Sequence, residues 1–282
     1  MTYSVKNKTA RSQTVKLDTL TLWITGASSG LGEALAIEFA KHGATLILSG
    51  RNSEKLEAVK QKCNDSHKHF TVAFDILDNE QTIQAYRQVK TYLTDNDLKI
   101  DWLINNAGVS QRSLIMDTSE QVERQLMEIN YFSQTRLSRL VLPEMIAQGG
   151  GKIVMVSSVA GLLGTQYRGA YGAAKAAIHM WANSLRAELS NKNIEVATIF
   201  PGFVNTNVSI NALVGDGTTQ GTMDEATGKG LSAEAFAKQV VQALVAGEEY
   251  IIVAGQKEKL ATFINRLSPT HLYKIIRKVK VK

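Results

Sequence analysis

Tyr171 and Lys175 stand four residues apart in a stretch with helical spacing, GAYGAAKAAIHMWANSLRAELS. On a helix those positions share a face and meet. A phenol titrates near 10 in isolation, too high to exchange a proton readily at neutral pH. An ammonium beside it favours the phenolate and makes a usable acid/base from a poor one. An ordinary helical Tyr-Lys pair is the alternative that spacing alone leaves open. Two hydroxyls, Ser157 and Ser158, close the apolar run KIVMV upstream, and Tyr167 is a second nearby phenol. Far from these residues in sequence, Thr25-Gly26-Ala27-Ser28-Ser29-Gly30-Leu31-Gly32 separates the apolar run LTLWI from a helical pattern. A dinucleotide needs glycines at such a junction: the turn is tight, backbone approaches the pyrophosphate, and the helix N-terminus offers unpaired N–H groups.

The elements that must position these groups alternate regularly. Apolar runs at 20–25, 45–49, 70–74, 101–104, 152–157, 194–200 and 249–253 read as strands, and helical spacing covers 30–42, 52–62, 79–94, 119–147 and 169–190. Strands alternating with helices predict βαβ units, hence an α/β fold: one doubly wound parallel sheet of about seven strands with helices on both faces. Residues 203–231 break the rhythm. They are rich in Gly, Thr and Asn, longer than an ordinary connector, and read as a functional lid or a mobile excursion.

In chain order, TGASSGLG at 25–32, Asp75 after the third strand, Asn105-Asn106-Ala107-Gly108 after the fourth, Asn130, Ser158, Tyr171 with Lys175, and Pro201-Gly202 after the sixth make up one set of motifs. Together they resemble the short-chain dehydrogenase/reductase family over about residues 19–256. The glycine spacing TGxxxGxG differs from GxGxxG and from the TGxxGxxG of sugar-nucleotide epimerases in the same superfamily. The resemblance implies a single-domain Rossmann fold and hydride transfer between a nicotinamide cofactor and a carbonyl or alcohol. In it Tyr171 gives a proton to the carbonyl oxygen, Ser158 hydrogen-bonds that oxygen, and Lys175 tunes Tyr171 and holds the nicotinamide ribose. Asn130, within EINYF, holds the backbone and the water relay that returns the proton. Each role answers the alkoxide that hydride transfer creates, which needs a proton and oriented donors.

The same resemblance puts Gly26, Ser28, Ser29, Gly30, Leu31 and Gly32 against the cofactor. Asp75 and Ile76 fall by the adenine, Asn106, Ala107 and Gly108 along the adenosine ribose side, and Pro201, Gly202, Val204 and Thr206 toward the nicotinamide. The second strand ends in LSGRN, where relatives that prefer NAD place a carboxylate for the ribose hydroxyls; here Gly50 is followed by Arg51 and Asn52. A guanidinium suits a 2′-phosphate, so NADP(H) is expected over NAD(H). SQRSLIMDTS at 110–119, with GEALA at 32–36, resembles the subgroup that includes membrane-attached steroid and retinoid carbonyl reductases. A hydrophobic carbonyl substrate fits that subgroup and the few charges of 203–231. Family members are commonly dimers or tetramers built through the helices at 119–147 and 169–190, so a homodimer or homotetramer is expected. A catalytically idle NADP-binding sensor or tether is the rival, and an idle copy has no chemical need for Asn130, Ser158, Tyr171 and Lys175 together.

The composition, 44% apolar and 21% charged with three prolines, fits a globular chain and excludes disordered and fibrous classes. Cys63 is the sole cysteine, which rules out an intramolecular disulfide framework. His67, His69, His179 and His271 lack metal-ligand spacing and read as surface or packing residues; no metal is expected. No run reaches the roughly 18 apolar residues of a spanning helix, and the first 20 residues lack a signal h-region. A cytoplasmic protein is expected. The net charge of +6 is not spread evenly: 257–282 carries +7, 1–20 carries +3, and 21–256 is left with −4. An acidic body argues against nucleic acid. The chain therefore divides into a basic extension at 1–18, a catalytic domain at 19–256 and a basic tail at 257–282. The tail spaces Leu260, Phe263, Ile264, Leu267, Leu272, Ile275 and Ile276 as an amphipathic helix broken near Pro269. Such a tail docks weakly on the anionic inner face of a membrane or packs on its own domain; the sequence leaves both open.

Overall fold

Side chains of the central strands alternate between two apolar faces, and each face finds its own layer of helices. A computed structural model describes residues 15–277 of the chain. It runs through β1 (Thr21–Thr25), α1 (Gly30–Lys41), β2 (Thr45–Gly50), α2 (Ser53–Lys62), β3 (Phe70–Ala73), α3 (Asn79–Asp95), β4 (Trp102–Asn105), α4 (Glu120–Met127), α5 (Ser133–Ala147), β5 (Gly151–Val156), α6 (Gly169–Glu188) and β6 (Ile194–Pro201). Then come β7 (Val204–Asn205), α7 (Glu225–Gly228), β8 (Leu231–Ser232), α8 (Ala233–Val245), β9 (Tyr250–Val253), α9 (Gln256–Leu267) and α10 (Pro269–Ile276).

The main sheet has seven strands in the order β3-β2-β1-β4-β5-β6-β9, all parallel. On one face Leu22 and Ile24 of β1 pack with Leu35 and Phe39 of α1 and Phe236 and Val240 of α8. On the other, Trp23, Leu103 and Ile153 pack with Val89 of α3, Val141 of α5 and Ile178 of α6. This is the doubly wound Rossmann-like arrangement that the alternation predicts. The chain moves outward from β1 in opposite directions on its two sides, so a crevice opens beyond the carboxyl ends of β1 and β4, where such sheets bind ligands.

Three features differ from the sequence reading. The single helix expected over 119–147 is interrupted: Glu128–Phe132 form a π-helical turn between α4 and α5. Helix α8 is not anticipated, although Ser232 caps it by accepting from the Ala235 N–H at 3.1 Å and its buried face repeats helically. Residues 203–231, a lid or a mobile excursion in the sequence, contain pairing it does not show: β7 and β8 lie in parallel and Gln220 N–H bonds to the Ala212 carbonyl at 2.8 Å.

The tail forms α9 and α10, divided at Pro269. Its inner face packs on the domain: Leu272 is buried with Val159, Leu163 and Phe200, and Ile264 and Ile276 join them. Most of the basic stretch 1–18, through residue 14, and the end of the tail from residue 278 lie outside the described residues. Among the described residues no helix is long and apolar enough to cross a membrane.

Candidate active site

The glycine turn is built by close approach. Gly26 has φ +65°, and a Cβ there would stand 2.8 Å from the Ala107 Cα. At Gly32 a Cβ would meet the Gly26 carbonyl oxygen at 2.2 Å, so only glycine lets α1 pack against the turn. The end of β4 is stapled to the same turn: Thr25 Oγ1 accepts the N–H groups of Asn106 and Ala107, each at 3.0 Å, and Asn106 Nδ2 donates to the Thr25 carbonyl at 2.9 Å. Ser29 precedes α1 without capping it. The first N–H groups of α1 therefore lack side-chain acceptors and present partial positive charge to the crevice.

Across the crevice, the end of β5 and the start of α6 bring the other groups in. Ser158 Oγ accepts from Ala160 N–H at 3.1 Å and donates weakly to the Pro201 carbonyl at 3.4 Å. Ser157 is turned the other way, its hydroxyl donating to the Lys175 carbonyl at 2.7 Å, and so fastens α6 to the sheet. Tyr171 lines the cavity and its hydroxyl has no hydrogen-bond partner among the described residues; Tyr167 has φ +63° and does not line the cavity. Lys175 is 3% exposed, with Nζ donating to the Val156 carbonyl at 2.8 Å and standing 5.9 Å from the Tyr171 ring centre. Burial pushes its ammonium down to about 7, below the ordinary lysine range.

Asn130 occupies the π-helical turn and is fully buried. Its Nδ2 donates to the carbonyls of Val109 and Leu126, both at 3.0 Å, and its Oδ1 accepts from Val109 N–H at 3.3 Å. Asn130 thus ties the strand-end segment 107–109 to the helix.

These groups share one cavity of about 1150 Å³ with the glycine turn. Gly26, Ser28, Ser29, Gly30, Leu31, Arg51, Asn52, Asp75, Ile76, Asn106, Ala107, Gly108, Asn130, Ser158, Tyr171, Lys175, Pro201, Gly202, Val204 and Thr206 all line it, and Gly32 packs behind the wall. Asn52 also caps α2 by accepting from Lys55 N–H at 2.8 Å, and Asp75 accepts from Leu77 N–H at 3.0 Å. A nicotinamide dinucleotide fits this donor set: an open helix N-terminus, a cavity that runs from the glycine turn to Tyr171, and a buried lysine with one acceptor for its three donors.

A second network, absent from the sequence reading, holds the far wall. Gln111 Oε1 accepts the backbone N–H of Tyr171 at 3.0 Å while its Nε2 donates to Ser113 and Thr118. Next to it, Arg112 reaches Asp224 with Nε at 2.6 Å and Nη2 at 2.5 Å. Burial alone would raise the Asp224 carboxyl; hydrogen bonds from Arg112 and Gln220 instead hold it below the usual carboxylate range. The only sequence signal for either group is the SQRSLIMDTS segment, which carries Gln111 and Arg112 but says nothing of Asp224.

Residues 21–214 match the short chain dehydrogenase family. The chain is 38% identical to dehydrogenase/reductase SDR family member 7B of Xenopus laevis, over 90% of this chain and 79% of that one. A solved short chain dehydrogenase/reductase from Burkholderia phymatum in complex with NAD superposes with a TM-score of 0.77 at 23% identity, covering 92% of this chain and 96% of that one. A short chain dehydrogenase from Burkholderia cenocepacia in complex with NADP gives 0.74 at 22% identity, covering 93% and 99%.

Proposed function

The chain belongs to the short-chain dehydrogenase family of oxidoreductases, and on that premise we propose that it is an NADP(H)-dependent enzyme interconverting a hydrophobic ketone or aldehyde with its alcohol. What supports the reading is that Asn130, Ser158, Tyr171 and Lys175 line the same cavity as the glycine turn. A bound nicotinamide supplies hydride to the carbonyl carbon, or accepts it from the alcohol. The carbonyl oxygen then gains negative charge, and the Tyr171 hydroxyl, free of other hydrogen bonds among the described residues, gives it a proton. Ser158 Oγ donates a hydrogen bond to the same oxygen and fixes its position. Lys175, held by the Val156 carbonyl, directs its remaining donors to the nicotinamide ribose and, when charged, favours the Tyr171 phenolate. Asn130 keeps the 107–109 segment in place beside Lys175.

Relatives of this fold carry NAD or NADP. Preference for NADP rests on Arg51, exposed at the rim of the cavity after Gly50, with no carboxylate at the strand end to repel a 2′-phosphate. Assembly as a homodimer or homotetramer is supported by Phe132 and Met180, 47% and 63% exposed on the helical surface of 120–147 and 169–188. Sedimentation at micromolar concentration tests it, and a monomer would refute it.

The reaction is tested by NADPH oxidation over a panel of carbonyl compounds. Tyr171→Phe is expected to lower turnover at least about a hundredfold with NADPH binding within about twofold of the native protein. Unchanged turnover in that variant would overturn the mechanism, and absence of turnover with every carbonyl, despite NADPH binding, would favour a sensor.

A further inference from the structure

Helix α9 packs its inner face on the domain and leaves its outer face apolar. Leu260 and Phe263 are each 58% exposed and Leu267 is 69% exposed, at spacings of three and four residues that align them as one stripe. Advancing about 100° per residue sets Lys259 and Arg266 along one flank of the stripe and Lys257 along the other. All three cations are exposed, and none forms an ion pair among the described residues. The element is also firmly seated. Glu258 accepts the N–H groups of Gly255 and Phe203 at 2.8 and 2.9 Å, and Asn265 Nδ2 donates to the Leu162 carbonyl at 3.0 Å.

A solvated surface helix has no physical reason to place three large apolar side chains in register. A helix that merely packs on its own domain would bury them, yet here the packed side is the neighbouring face, formed by Ala261, Ile264 and Asn265. An apolar centre flanked on both sides by long cations is the geometry of a helix lying in a lipid interface, where the stripe enters the acyl boundary and the ammonium and guanidinium groups reach back to the headgroups. The charge selects the occupant: 257–282 carries +7 against −4 for 21–256, so an anionic surface attracts the tail and not the acidic body.

We propose that the outer face of α9, through Leu260, Phe263 and Leu267, docks on an anionic lipid bilayer, with Lys257, Lys259 and Arg266 at the headgroups. The domain-packing reading of the tail is satisfied at the same time by the inner face. Because Glu258 and Asn265 bolt α9 to Phe203 and Leu162, two segments that adjoin Gly202 and Val159 beside the cavity, docking brings the site close to the lipid surface, where an apolar carbonyl compound would concentrate.

The test uses the full chain and sedimented vesicles of phosphatidylcholine alone or with about 30% phosphatidylserine. Binding is expected to the anionic vesicles only, to weaken at least tenfold between low salt and 0.5 M salt, and to drop at least tenfold in the variant carrying Leu260→Gln, Phe263→Gln and Leu267→Gln. A second variant with Lys257→Gln, Lys259→Gln and Arg266→Gln is expected to lose most of the salt-sensitive part. Both sets lie on the solvent face, and an unchanged melting temperature would establish that each variant is folded. Native protein that ignores anionic vesicles, or binding unaffected by the triple apolar change, would overturn the proposal. So would a triple variant whose main effect is a smaller oligomer in sedimentation, since the stripe would then be an interface between copies. None of these outcomes depends on the proposed reaction.

Discussion

Arg112 and Asp224, 112 residues apart in sequence, form an ion pair sealed from water, with side chains 2% and 1% exposed. It joins the segment after β4 to the irregular stretch before β8, and Arg112 Nη1 also donates to Ser110 Oγ and the Gln111 carbonyl. Removing one partner leaves a buried charge unpaired, which costs about 3 kcal/mol or more, whereas replacing both with apolar groups is often neutral. Asp224→Ala is therefore expected to lower unfolding stability by about 3 kcal/mol in urea titration. Arg112→Met combined with Asp224→Leu should recover most of the loss. Because neither residue lines the cavity, NADPH affinity should hold in the double variant. A double variant as unstable as the single one would sink this account.

Gln111 is a positioning residue for Tyr171, acting through the backbone. It is 1% exposed, and its carboxamide takes the Tyr171 N–H at one end and holds two hydroxyls at the other. Gln111→Leu deletes the acceptor and frees the first turn of α6 to shift. A displacement near 1 Å costs on the order of a hundredfold in rate, so kcat is expected to fall between about ten- and a hundredfold, with NADPH affinity retained. The diagnostic readout is the pH profile of kcat, which should move in Gln111→Leu and stay put in a stability-matched core variant such as Leu185→Ala.

The doubly wound sheet was legible because buried parallel strands are short apolar runs and the helices between them are periodic. The glycine turn and the Tyr171-Lys175 spacing were legible for the same local reason. What escaped was set by contacts between distant segments. Nothing in EINYF marks a π-helical turn, since widening by one residue hardly alters the apolar spacing; only the bonds of Asn130 to Leu126 and Val109 reveal what the turn does. Nothing local to Arg112 points to Asp224, 112 residues further along the chain. Helix α8 did carry a local signal, Ser232 followed by Phe236, Val240, Val241 and Leu244, but the Gly- and Thr-rich chain ahead of it blurs where order resumes. Burial, which is not local, also lowers the Lys175 pKa, and no spacing in the sequence shows that.

Cofactor choice turns on Arg51. The residue is exposed at the cavity rim, directly after Gly50, which also lines the cavity and brings no carboxylate there. A charge-assisted hydrogen bond from a guanidinium to a phosphate contributes about 1.5–3 kcal/mol, less at a solvated rim. Arg51→Gln is expected to weaken NADPH binding about tenfold and leave NADH binding unchanged in fluorescence titration. Equal losses for both nucleotides, or native protein that binds NADH as tightly as NADPH, would remove Arg51 as the discriminator.

His69 sets an acid limit on stability. The ring is buried between two backbone groups: Nδ1 accepts from Leu46 N–H at 3.2 Å, and Nε2 therefore carries the proton donated to the Asn64 carbonyl at 2.9 Å. Burial pushes its pKa down to about 4 from 6.5. The folded state thus refuses a proton that the unfolded chain accepts between those values. Stability is fully present above about pH 6.5, falls as the pH drops, and levels off below about 4, where the folded ring also protonates. The full shift would be worth about 3 kcal/mol; with partial screening about 2 kcal/mol is expected. His69→Gln keeps one acceptor and one donor but cannot titrate. It should be less stable than the native protein at pH 7, and the gap should shrink by about 2 kcal/mol at pH 4.5 in matched urea titrations. Parallel pH dependences in the two proteins would show that the acid sensitivity lies elsewhere.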